Sequence, residues 1–222
     1  MTALARMTRH YAYGLDMDDL DVVVVDDSKP MQAILRSTLL SFRVRRVRTF
    51  DTAEAALEMM RLDPPNFVIT DWLMKPMSGL ALLRTLRQRK MAPLCFLPVV
   101  VCTAHGTRTL IDRVLRDGAQ HVVAKPLSPS GLYDRLMWTL RDDRQLVMSD
   151  SGRYVIEGVA DTLDEKARKW QQIGIEREIV APKSGPRRDL AAPVQAAETS
   201  DTASKPRNGF ATVRPKRSQP AA

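Results

Sequence analysis

The run Val22-Val23-Val24-Val25 constrains this chain more than any other segment. Four β-branched residues in succession leave no polar face, so the segment reads as a strand buried on both sides. Such strands occur in parallel sheets covered by helices on each face. The run ends abruptly in Asp26-Asp27, and the arrangement recurs along the chain. Phe67-Val68-Ile69-Thr70 ends in Asp71, Pro98-Val99-Val100-Val101-Cys102 ends at Thr103, and Val122-Val123-Ala124 ends at Lys125-Pro126. A weaker strand, around Val44 to Thr49, is crowded by Arg43, Arg45, Arg46 and Arg48. Those arginines fit an edge strand whose charges discourage pairing with other sheets; an anionic docking surface is the sharper alternative.

Helical patterns fill the gaps between the strands. Ser28 offers a cap and Pro30 sits in the first turn of a helix bearing Met31, Ile34, Leu35, Thr38, Leu39 and Phe42 on one stripe. Asp51 and Glu54 form a capping box for a helix carrying Ala53, Ala56, Leu57 and Met60, and Pro64-Pro65 closes that unit. Leu82, Leu83 and Leu86 follow Gly79; Leu110, Ile111, Val114 and Leu115 precede a stop at Gly118; Ser128 and Pro129 open a helix with Leu132, Leu136 and Leu140. Five strands alternating with five helices over roughly 120 residues define an α/β fold: an open, doubly wound five-stranded parallel sheet with helices on both faces, joined by right-handed crossovers.

Outside this block the regularity fades. Residues 1–19 are mixed and mostly polar and read as a flexible N-terminal segment; the folded domain spans 20–141. Residues 142–181 form an extension with a possible short helix, capped by Asp161, bearing Leu163, Ala167 and Trp170 and stopped by Gly174. From 182 to 222 Pro, Ala, Ser, Thr and basic residues dominate, too few of them large and apolar to offset chain entropy, so this part reads as a disordered basic tail. The net charge of +8 is concentrated there: from Lys183 onward there are eight Lys/Arg against three Asp/Glu. The longest apolar stretch, Leu94 to Cys102, is short and broken by Pro98, and it cannot span a bilayer. The N-terminus lacks the apolar core of a secretory signal. The two cysteines, Cys95 and Cys102, offer neither a disulfide framework nor metal-ligand spacing, and fit two thiols in a reducing cytoplasm.

In an open α/β sheet ligands bind beyond the carboxyl ends of the strands. Here those ends carry Asp26 and Asp27, Asp71, Thr103 and Lys125. Singly, each is an ordinary turn residue or strand terminator. Together they bring three carboxylates, a hydroxyl and an ammonium to one crevice. Three close carboxylates need a counter-charge, which a hard divalent cation such as Mg²⁺ supplies through oxygen ligands. With repulsion reduced, a carboxylate oxygen can attack phosphorus, Lys125 balances a phosphoryl oxygen, and Thr103 donates a hydrogen bond to the group once in place. This chemistry points to an aspartyl phosphate at Asp71.

Asp26-Asp27-Ser28, Asp71-Trp72-Leu73-Met74, Met77-Ser78-Gly79-Leu80, Thr103-Ala104 and Lys125-Pro126-Leu127 together resemble the CheY-like receiver domains of two-component response regulators, over about Leu20 to Leu140. The resemblance implies a flavodoxin-like fold with strand order 2-1-3-4-5. It implies phosphorylation of Asp71 by a sensor histidine kinase or a histidine phosphotransfer protein, in a signalling protein that is not itself an enzyme. It also implies that Asp27, Asp71 and the Leu73 carbonyl ligate Mg²⁺ directly and Asp26 through water, with Thr103 the switch hydroxyl and Lys125 the phosphate-contacting lysine.

Three features depart from the family pattern. Proline follows Met74 only after Lys75, as Pro76. Leu73 and His105 stand two residues beyond Asp71 and Thr103, where family members tune hydrolysis; Leu73 cannot orient a water, which implies a long-lived phosphoryl group. Val122 replaces the aromatic that often precedes the lysine by three residues, which weakens the usual relay toward the fourth helix. Residues 142–222 carry no helix-turn-helix pattern and no nucleotide-binding loop, so output is expected through contacts with a downstream protein. The alternative is a nucleic-acid-binding regulator using Lys205, Arg207, Arg214, Lys216 and Arg217, with Phe210 as the one aromatic for stacking.

Overall fold

The computed structural model describes residues 9–172. Its centre is a five-stranded sheet: β1 Asp21–Val25, β2 Arg46–Phe50, β3 Phe67–Asp71, β4 Val99–Thr103 and β5 His121–Ala124. The order is β2-β1-β3-β4-β5 and every pairing is parallel. All residues of β1, β3 and β4 are buried, as uninterrupted apolar strands require.

Alternation along the strands sorts the helices into two layers. Val22, Val24, Phe67, Ile69, Val100 and Cys102 face α1 (Lys29–Ser41) and α5 (Pro129–Leu140), where Leu35, Leu39, Leu132, Leu136 and Leu140 close one core. Val23, Val25, Val68, Val99 and Val101 face α2 (Ala53–Leu62), α3 (Gly79–Leu86) and α4 (Arg108–Arg116), with Ala56, Met60, Leu83, Leu86 and Val114 on that side. Each fully buried Val or Leu contributes about 1.5–3 kcal/mol of transfer free energy, which fixes the strand register against slippage.

Several local expectations are corrected. β2 begins at Arg46, not Val44, because Arg43 turns through a left-handed conformation (φ 68°). Thr52, not Asp51, caps α2 by accepting from the Ala55 amide, while Asp51 pairs with Lys29 and Gln32. Ser28 makes no side-chain cap; its amide donates to Asp26 Oδ1 at 2.9 Å. β2 does lie at the sheet edge, but Arg48 is nearly buried there and clamps Asp21 (2.9 Å) and Asp63 (3.3 Å).

The expectation of a flexible segment over residues 1–19 fails for residues 9–19. The Tyr11 amide donates to the Phe96 carbonyl (3.2 Å), the Gly14 amide to the Leu140 carbonyl (2.8 Å), and Ala12 is wholly buried beside α1 and α5. Tertiary contacts hold this segment without any periodic pattern of its own. The extension is likewise built. β6 (Leu146–Met148) and β7 (Tyr154–Ile156) pair as an antiparallel hairpin, and α6 (Val159–Gln172) starts two residues before Asp161. Leu146, Ile156, Val159 and Leu163 bury with Cys95 and Phe96 in a third cluster. Gly174 and the tail from 182 lie outside the described residues.

One charged group anchors the end of the sheet opposite the strand carboxyl termini. The Arg87 side chain, just after α3, is fully buried and donates to the carbonyls of Gly118 (2.9 and 2.7 Å), Cys95 (2.9 Å) and Leu97 (2.8 Å) and to Gln120 Oε1 (3.3 Å). Burial pulls its pKa down to about 10, and all these acceptors are neutral. Its own carbonyl accepts from the Tyr154 amide at 2.8 Å, tying the hairpin to the domain.

Candidate functional site

Because all five strands run the same way, their carboxyl ends share one edge of the sheet. Asp26 follows β1, Asp71 ends β3, Thr103 ends β4 and Lys125 follows β5. The register carries the rows across: Val25 lies beside Thr70, Asp71 beside Cys102, and Thr103 beside Ala124. Backbone bonds extend the order past the strands, from the Trp72 amide to the Cys102 carbonyl (2.8 Å) and from the Lys125 amide to the Thr103 carbonyl (2.7 Å).

The structure brings three of the expected residues into direct contact. Lys125 Nζ lies 2.8 Å from Asp26 Oδ2 and 2.5 Å from Asp71 Oδ1. Asp26 and Asp71 are buried, and the Lys125 side chain is 17% exposed. Burial alone depresses the ammonium's pKa, but the hydrogen bonds and negative charge of Asp26 and Asp71 outweigh it and leave Lys125 above its ordinary value. The remaining oxygens are also engaged. Asp26 Oδ1 accepts from the Ser28 amide, and Asp71 Oδ2 accepts from the Leu73 amide at 2.8 Å. Thr103 is buried, and its Oγ1 accepts from the His105 amide at 3.1 Å. Asp27 and the Leu73 side chain (60% exposed) are on the solvent side.

Two further residues shape the crevice. Gln32 Nε2 donates to the Asp26 carbonyl (2.6 Å) and to Asp51 Oδ1 (2.5 Å), fastening the first strand end to α1 and to the loop after β2. In sequence Gln32 is only a polar residue between apolar ones, and no spacing rule singles it out. Gly79 packs directly on the end of β3: a Cβ placed there would stand 1.9 Å from the Asp71 carbonyl oxygen. Its amide donates to the Trp72 carbonyl at 3.2 Å, closing the loop from 72 to 78 back on β3. Beside Asp71, Cys102 is wholly buried and its thiol is pushed up to about 12, so it stays protonated and inert.

The donor set suits a hard cation. Asp26, Asp27, Asp71 and the Leu73 carbonyl offer oxygen only, and three carboxylates against one ammonium leave a formal charge of −2, the complement of Mg²⁺. These three carboxylates are not drawn into one tight group. Among the described residues the trio within 4.8 Å of one another is Asp16, Asp18 and Asp19, in the exposed turn before β1 at the other end of the sheet.

A crevice of buried carboxylates bridged by a lysine, at the carboxyl ends of a 2-1-3-4-5 sheet, defines a class of phosphorylation-dependent signalling domain. Comparison with known proteins identifies the class. Residues 22–137 match the family described as response regulator receiver domain, and the chain belongs to that family. Two-component response regulator ORR11 of Oryza sativa subsp. indica is 34% identical over 120 residues, covering 52% of this chain and 80% of the relative. Two-component response regulator ORR3 of the same subspecies is 37% identical over 110 residues, covering 49% and 82%. Among solved structures, Vibrio cholerae chemotaxis protein CheY4 shares the fold with a TM-score of 0.51 at 24% identity, covering 55% of this chain and 99% of that one. As a class, receiver domains are signalling modules that interact with histidine kinases or phosphotransfer proteins and typically bind Mg²⁺ at an acidic pocket. No described helix is long and apolar enough to cross a membrane.

Proposed function

We propose that Asp71 is the phosphoacceptor of this receiver domain and takes its phosphoryl group from a phosphohistidine on a sensor kinase or a phosphotransfer protein. The observation that carries the reading is the Lys125 ammonium bridging Asp71 Oδ1 and Asp26 Oδ2. It aims the Asp71 carboxylate, and it lies where a phosphoryl oxygen bonded to Asp71 needs a cation. An Asp71 oxygen forms the new O–P bond as the donor's N–P bond breaks, and the leaving imidazole takes a proton from solvent. Asp26, Asp27, Asp71 and the Leu73 carbonyl would hold Mg²⁺, which when bound supplies charge neutralisation to the phosphoryl oxygens. Thr103 Oγ1, one row away on β4, donates to the phosphoryl group and thereby senses it.

The test is incubation of the protein with acetyl phosphate and Mg²⁺, followed by intact mass. Wild type gains one phosphoryl group and Asp71→Asn gains none; a wild type that stays unmodified would contradict the assignment.

The exposed, apolar Leu73 side chain offers no hydrogen bond to a water attacking the phosphorus, so the phosphoryl group is long-lived. Leu73→Asn shortens its lifetime. Loss within seconds in both proteins would refute this. Output runs through contacts with a downstream protein. Residues 142–172 form a hairpin and one helix, not a helix-turn-helix, and the nucleic-acid alternative falls on residues outside those described.

A further inference from the structure

The outer face of α4 already has an occupant. α6 packs across it, with Leu115 of α4 against the cluster that holds Val159 and Leu163. Arg116 pairs with Asp164, and the Arg108 guanidinium carbon lies 5.2 Å from the centre of the Trp170 ring. The two halves of α6 are held very differently. Val159 and Leu163 are buried with the hairpin and Phe96. From Glu165 to Trp170 the side chains are exposed except Ala167, which is half-buried, and the Trp170 ring lies against Arg108, the first residue of α4. An exposed cation–π pair and an exposed ion pair are each weak.

Arg108 stands five residues beyond Thr103, and the link between them is short and specific. Thr103 Oγ1 accepts from the His105 amide (3.1 Å), the His105 carbonyl accepts from the Thr107 amide (3.0 Å), and Thr107 Oγ1 caps α4 through the Leu110 amide (3.3 Å). The threonine hydroxyl therefore sets the position of the helix start on which Trp170 rests. Val122, half-buried against the same core as Leu110, adds no large ring to this path.

We infer that α6 is a built-in cover for α4 whose outer half is released when Asp71 is phosphorylated. This rests on the reading of Asp71 as phosphoacceptor. Drawing the Thr103 hydroxyl toward a phosphoryl group on Asp71 removes the acceptor of the His105 amide and frees the start of α4. Arg108 then leaves Trp170, and the outer half of α6 separates while Val159 and Leu163 stay anchored. The uncovered surface is the basic face of α4, bearing Arg108 and Arg116 freed of Trp170 and Asp164, which suits an acidic segment of a partner protein. By linkage, whatever loosens α6 must favour the phosphorylated state by the same factor.

Hydrogen exchange on the full chain tests this, with phosphorylation verified by intact mass in the same sample. Amides of residues 164–172 exchange about fivefold or more faster after phosphorylation, while Asp71→Asn treated in parallel does not change. Trp170→Ala, an exposed substitution away from the site, binds beryllofluoride with Mg²⁺ about fivefold tighter than wild type. Phosphorylated protein whose α6 exchange is unchanged or slower would overturn the release, as would equal beryllofluoride affinity in the two proteins. Absence of a mass gain overturns the phosphoacceptor reading itself, and the two failures are separate readouts.

Discussion

Gly79→Ala probes the packing around Asp71 more sharply than any other single methyl group. The added Cβ would lie 1.9 Å from the Asp71 carbonyl oxygen and 3.0 Å from Thr70 Oγ1. Backbone contact at that distance is not tolerated, so either the end of β3 or the start of α3 moves by about 1 Å. Moving β3 displaces Asp71 from Lys125. Moving α3 stretches the Gly79 amide bond to the Trp72 carbonyl and the Ser78 cap on the Ala81 amide, both 3.2 Å. Overpacking costs about 1–3 kcal/mol, and a lost cap or hydrogen bond about 1 kcal/mol each, so the loss of stability is about 3 kcal/mol. Urea unfolding reads this as a lower midpoint with the slope unchanged, and thermal unfolding as a drop of about 6–12 °C. Gly106→Ala is the internal control, because its nearest neighbours to a Cβ stand at 3.9 Å, and it changes stability by less than about 0.5 kcal/mol. Phosphorylation by acetyl phosphate slows in Gly79→Ala and not in Gly106→Ala. Wild-type stability and phosphorylation rate in Gly79→Ala would refute the close approach.

Two further substitutions test other parts of the structure. Arg87→Met strips donors from the carbonyls of Cys95, Leu97 and Gly118, each about 1–3 kcal/mol if left unsatisfied, while removing one buried and unpaired charge; the net loss in urea unfolding is about 3 kcal/mol, and a variant as stable as wild type would show that the charge costs as much as its bonds return. His121, on β5 beside Trp138, has its pKa lowered to about 4 by burial and the neighbouring Arg135 and Arg144. The unfolded chain then binds more protons between about pH 6.5 and 4, so stability falls as pH falls through that window. His121→Phe removes that share, on the order of 2 kcal/mol after discounting for part exposure. Buried His10 titrates in the same direction and leaves a residual slope; an unaltered pH profile in His121→Phe would exclude His121 as its source.

Much of the fold was legible because its strands carry the information locally. Val22 to Val25, Phe67 to Thr70 and Val99 to Cys102 allow only buried parallel strands, and parallel direction puts Asp26, Asp71, Thr103 and Lys125 at one edge. The bridging by Lys125 follows from strand order, which no single strand contains. What stayed hidden depends on distant partners. β6 and β7 are three residues each, too short for alternation to register, and they form because Leu146 and Ile156 meet Phe96. Residues 9–19 lack periodicity and are held by bonds to Phe96, Leu140 and Asp142. Arg87 looks like the solvated end of a helix until its acceptors converge from two connections, α3–β4 and α4–β5, and Thr52 rather than Asp51 caps α2 because Gln32 and Lys29 claim the aspartate.

The most direct test locates the phosphoryl group itself. After reaction with acetyl phosphate and Mg²⁺, borohydride reduction converts an aspartyl phosphate to homoserine, which peptide mass spectrometry assigns to a residue. The expected result is homoserine at position 71, absent from Asp71→Asn. Homoserine at Asp26 or Asp27 in wild type, or none at any aspartate of a protein shown to be phosphorylated, would contradict the assignment of Asp71.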